Sequence, residues 1–177
     1  MTPERLYHFS EDPSIARFEP RTATAGAPYE KLVWAVDAEH ADLYLFPRDC
    51  PRVTFHALDT TTAPDIERFL GATTARRVSA IEARWLQALR TASVYRYEIA
   101  PDDFELMDAT AGYWTSRSEV VPLAVGPVGD LLDALIAAGV ELRVLPSLWP
   151  LYEADIASTL GFSIIRWRNA APREATV

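Results

Sequence analysis

The chain of 177 residues has one cysteine, seven glycines and three histidines. A lone Cys50 excludes an internal disulfide and any zinc site built on several cysteines. The scattered glycines form no GxGxxG, GxxxxGK[ST] or GxSxG, so dinucleotide-fold, P-loop and α/β-hydrolase readings lack their required parts. His8, His40 and His56 follow no metal-ligand spacing, so no metal is expected. No run of about 18 apolar residues is present, which argues against a membrane-spanning helix. The opening MTPERLYHFS has no long apolar stretch of the secretory kind, so the expected location is the cytoplasm. Basic charge is also short. The net charge is −8 and the pI about 4.9. A general nucleic-acid binder needs a basic face to displace counterions from phosphates, so none is expected here.

Apolar residues are plentiful, at 49% of the chain. That suffices for a core, and the length suggests one domain over residues 1–170. Residues 171–177 read as a disordered tail. Period-2 or apolar runs predict strands at Arg5–Phe9, Leu32–Val36, Arg52–Leu58, Val94–Ile99, Phe104–Met107, Glu141–Leu145 and Phe162–Arg168. Glu119–Val125 is apolar but interrupted by Pro122, which confines it to an edge or a bulge. Helical spacing appears at Thr62–Leu70, Ile81–Arg90, Val128–Ala138 and Tyr152–Leu160. Gly139 sits where a C-cap glycine belongs. Asp37 is placed to cap a short helix over DAEHADLYLF that Pro47 ends. Glu11–Lys31 reads as irregular. Strands in runs with helices interspersed indicate an α+β fold with mixed, mostly antiparallel sheets.

The connector FPRDCPR carries Arg48, Asp49, Cys50 and Arg52 between two apolar runs. Guanidinium groups suit phosphate or carboxylate ligands. The structural alternative is that Asp49 pairs an arginine to fix a corner, with Cys50 filling a small apolar gap. A nucleophilic Cys50 would need His8 or His56 within hydrogen-bond reach. A buried, structural thiol ranks above it. The aromatics Tyr7, Trp34, Tyr44, Tyr113, Trp114 and Trp149 are mostly core candidates, and some could stack on a planar ligand.

The stretches LYHFSEDPSI, VWAVDAEHADLYLFPRDCPRV, YRYE, TAGYW and FSIIRWRNA together resemble an uncharacterised bacterial family, domain of unknown function 6886. That resemblance runs from Leu6 to Ala170 and brings no activity with it. The order of parts also resembles the ADP-ribosyltransferase fold: an early strand with a His, a second strand leading into a helix, and a late strand opening with a Glu. That second resemblance implies NAD as substrate. It assigns His8 to the ribose and Glu119 to the 2′-hydroxyl and the oxocarbenium-like transition state, with Glu98 as the rival acid. Trp34 stands on the strand that frames the nicotinamide, where the family has a hydroxyl residue, and Tyr44 supplies stacking. With Ser10, Arg48 and Arg52 these residues form the expected nucleotide-binding set. The alternative reading is a non-catalytic module for a nucleotide or phosphorylated small ligand. It predicts a glutamate that is paired off or turned away. A purely structural or partner-binding domain is the third reading.

Overall fold

The computed structural model describes residues 3–22 and 31–173. Part of the Glu11–Lys31 stretch and the last four residues of the tail therefore lie outside the described residues. The fold is α+β. The chain divides into two compact units, each assembled from two separate segments: residues 1–45 with 93–129, and residues 46–92 with 130–177.

The first unit is built on one sheet. Its strands are β1 (Leu6–Ser10), β2 (Arg21–Thr22), β3 (Lys31–Val36), β6 (Tyr95–Ile99), β7 (Glu105–Asp108), β8 (Tyr113–Ser116) and β9 (Ala124–Pro127). They run in the order β7-β8-β3-β1-β6-β9, with β2 added on β3. All these pairings are antiparallel, and Tyr7 faces both Val36 and Glu98. Alternation sends Leu6, Val33, Ala35, Tyr97, Ile99 and Trp114 to one face, where Phe18, Phe104 and Val120 complete a core. Pro122 lies outside the strands, and β9 is a sheet edge, which a proline-flanked strand can tolerate.

The second unit has strands β4 (Arg52–His56), β5 (Arg77–Glu82), β10 (Val140–Leu145) and β11 (Gly161–Ile165) in the order β10-β5-β4-β11. β10 and β5 are parallel, and the other two pairings are antiparallel. Its helices are α1 (Ala63–Asp65), α2 (Leu86–Thr91), α3 (Leu131–Ala137) and α4 (Trp149–Asp155). Val53, Phe55, Phe69, Val78, Ala80, Leu148 and Leu160 form its core. Each large side chain fully buried there contributes about 1.5–3 kcal/mol.

Three expectations are corrected. Arg77–Glu82 is a strand, not the start of a helix at Ile81, and all six of its residues are buried. A strand covered on both faces loses the period-2 signal. The DAEHADLYLF segment forms only a 3-10 turn at Ala41–Tyr44. Asp37 Oδ1 accepts both the backbone N–H of His40 (3.0 Å) and its Nδ1 (2.8 Å), which closes a tight turn instead of starting a helix. The Thr62–Leu70 helix is a single α-turn followed by a π-turn at Ile66–Leu70, which ends at Gly71 with φ +57°.

Candidate functional site

His8 stands at the centre of the first unit's sheet, on the core face beside Tyr97 in the next strand. Its Nδ1 lies 2.9 Å from the Trp34 carbonyl oxygen. A carbonyl only accepts, so Nδ1 carries the proton there. The ring packs on Phe18 with centroids 4.6 Å apart. Ser10 is buried, and its Oγ accepts the Asp12 N–H at 3.1 Å. The Tyr97 hydroxyl donates to the Asp12 carbonyl (2.6 Å) and accepts the Ile15 N–H (3.1 Å). Asp12 in turn accepts from the hydroxyl and N–H of Ser14, which lower its pKa. Ser10 and Tyr97 thus hold the 10–15 segment across this face.

Trp34 belongs to the other face. It has the strand parity of Val36, which faces Tyr7, so alternation places it with Tyr7 and Phe9, opposite His8. The expected trio of His8, Trp34 and Glu119 therefore does not gather in one cleft. His8 meets the backbone carbonyl of Trp34, not its ring face. Glu119 adjoins Val120, whose side chain enters the core opposite Phe18, so Glu119 turns outward. There it accepts from Arg17 Nη1 at 2.7 Å in an exposed ion pair.

The Trp34 face is instead a cluster of aromatics. Trp34 and Tyr113 meet edge to face at 5.7 Å, and Tyr44 stacks on Phe9 at 6.0 Å and 11°. The Arg96 guanidinium lies 5.3 Å from the Tyr7 ring centroid, and its Nη2 is 3.4 Å from Glu98 Oε1. Glu98 is directly across from Tyr7 in the register. Trp34 Nε1 is buried and has no hydrogen-bond partner among the described residues. Sequence reasoning singled out Trp34, Tyr44 and Glu98 but missed Phe9 and Arg96. The matched period-2 patterns of LYHFS and YRYEI were the signal that could have found them.

Arg48, Cys50 and Arg52 belong to the second unit. The Cys50 N–H bonds the Pro47 carbonyl (3.0 Å) and closes the corner. Arg52 is only 2% exposed, donates from Nη1 to the Cys50 carbonyl (2.9 Å) and lies 5.0 Å over the Phe46 ring. Arg166 Nε donates to the Arg48 carbonyl (2.9 Å), and Asn169 Nδ2 to the Asp49 carbonyl (2.7 Å). The corner thus offers its backbone acceptors to the segment after β11. This is the structural reading, with one change: Arg52 bonds a carbonyl, and the nearest partner of Asp49 is Arg166, at 3.8 Å. Burial pushes the Cys50 thiol up to about 12, against a smaller opposing pull from Arg52. At that value the thiol is uncharged at neutral pH, in keeping with a buried, structural cysteine.

Three buried acids among the described residues, Asp42, Glu82 and Asp155, were not foreseen. Glu82 accepts the Ala171 N–H (2.9 Å) and Arg84 Nε (2.8 Å). Asp155 has no exposed surface, and among the described residues neither carboxylate oxygen has a hydrogen-bond partner. Burial alone raises its pKa to about 7. Among the described residues, no three His, Cys, Asp or Glu side chains are grouped to hold a metal ion, and no helix is long and apolar enough to cross a membrane.

A family model for a family of unknown function (DUF6886) matches residues 7–170. No curated protein and no solved structure matches the chain.

Proposed function

The chain belongs to that family of unknown function, and we propose that its first unit is a binding module for a nucleotide or phosphorylated small ligand. The observation that carries this reading is the aromatic face of β1, β3 and β6. There Tyr7, Phe9, Trp34, Arg96 and Glu98 share one side of the sheet, Arg96 lies against the Tyr7 ring, and Tyr44 stacks on Phe9. Aromatic rings stack on a planar base, a guanidinium suits a phosphate, and a carboxylate accepts from ribose hydroxyls. The outward, paired Glu119 supports binding without catalysis. Arg48 and Arg52 carry no part of this reading.

The test is a calorimetric titration with NAD, AMP and inorganic phosphate against wild type, Arg96→Gln and Trp34→Phe. Arg96→Gln should weaken AMP binding about tenfold or more, since one charge-assisted hydrogen bond contributes about 1.5–3 kcal/mol. Failure of all three ligands to bind folded protein rejects the module.

One observation favours a second reading, ADP-ribosyl transfer from NAD. Glu98 is half-buried and shares a face with Trp34, so it replaces Glu119 as the candidate acid. A fixed carboxylate stabilises the positive charge that develops on the ribose as the nicotinamide bond breaks. On this reading Glu98→Gln abolishes nicotinamide release while NAD still binds. Absence of nicotinamide release by wild type, with NAD bound, leaves the module and removes the transferase.

A further inference from the structure

The second unit carries a groove of about 420 Å³. The π-turn supplies Arg68 and Phe69, and β10 supplies Arg143 and Leu145. Pro146, Ser147 and the α4 residues Pro150, Leu151 and Ala154 complete it. The volume falls within the usual range for small-molecule sites. The composition stands out in a chain of net charge −8: the lining holds two arginines, one hydroxyl and no acid.

Both guanidinium groups are seated on rings. Arg68 lies 5.0 Å over Phe69, and Arg143 lies 5.5 Å over Phe55. Arg143 Nε also bonds Glu141 Oε1 at 2.8 Å, which offsets one of the two charges. Asp65, three residues before Arg68, accepts from the N–H (2.8 Å) and Oγ1 (2.6 Å) of Thr159 and also feels the Arg68 charge. The lining therefore sets two guanidinium groups, each with an acid nearby but none in the lining itself, beside an apolar bed. A π-turn is a rare local structure that concentrates at functional sites, and here it aligns the cation with the apolar floor.

We propose that this groove binds a monoanionic amphiphile, a carboxylate carried on an apolar chain. The head meets Arg68 and Arg143, and the chain lies along Phe69, Leu145, Leu151 and Ala154. This site is independent of the reading given for the first unit.

The probe is decanoate, kept below its micelle-forming concentration and followed by amide chemical shifts. Decanol and decyltrimethylammonium serve as neutral and cationic controls of equal chain length. Decanoate should shift the Leu145 and Ser147 amides, and decyltrimethylammonium should not. Arg68 is exposed, so Arg68→Gln should keep the fold, checked by its thermal midpoint, and weaken decanoate about tenfold. Ala154→Phe should fill the bed and block binding. Equal binding of decanol and decanoate, an Arg68→Gln variant with unchanged affinity, or no decanoate response in folded wild type would each overturn the proposal.

Discussion

Asp155 is a carboxyl that the fold keeps uncharged well above its ordinary range. Its folded pKa of about 7 exceeds the usual 3.8 because burial penalises the anion. Between those values the unfolded chain has released the proton and the folded chain still holds it. The contribution is therefore fully present below about pH 4 and is lost as pH rises through about 7. At about 1.4 kcal/mol per unit, the whole displacement amounts to on the order of 4 kcal/mol. Urea midpoints measured from pH 4 to 8 should fall more steeply in wild type than in Asp155→Asn. Parallel profiles would place a partner on the carboxylate. Cys50, with no exposed surface and a thiol pushed up to about 12, should resist a thiol reagent at pH 8 until the protein is unfolded. Rapid labelling of the folded protein would contradict that burial.

Single elements are held by identifiable contacts. Asp130 accepts the N–H groups of Leu132 (2.8 Å) and Asp133 (3.0 Å) and so caps α3. Asp130→Ala should lower stability by about 1 kcal/mol, and Asp130→Asn by much less, in thermal or urea unfolding. Gly112 has φ +66°, and a β-carbon there would run into the His40 ring. Gly112→Ala should therefore lower stability by at least about 1–3 kcal/mol; a neutral result would mean the His40–Asp37 turn can move aside. Elements like α3 were legible because stripe, cap and terminal glycine agree locally. The strands β1, β3, β6 and β10 were legible from their apolar runs or period 2. β5 was hidden because burial on both faces erases alternation. β8 was missed because Tyr113–Ser116 is short and only half apolar. The aromatic face was partly visible as residue types. That His8 and Trp34 fall on opposite faces follows from register, which one strand's sequence does not contain. The groove could not be read at all, since it joins Arg68 and Arg143 across 75 positions of chain.

For the whole molecule the decisive fact is that neither unit is a continuous stretch. A fragment of residues 1–92 lacks β6, β7, β8 and β9 of the first sheet and β10 and β11 of the second. It should give a collapsed amide spectrum and no cooperative unfolding. A dispersed spectrum would show that half a unit suffices. Excision experiments on this chain must therefore respect both segments of a unit, or none.

The same interleaving has a consequence during synthesis. All strands of the first sheet have been made once Gly129 is reached, while β4 and β5 still wait for the partners on their two outer edges. At about 5–20 residues per second, the stretch from Asp130 to Ile165 takes roughly 2–7 s to emerge. Throughout that interval a nascent hairpin, nearly all of whose side chains end up buried, presents two open edges to the crowded space around the ribosome. Chaperone capture is expected at the β4–β5 pair during that interval.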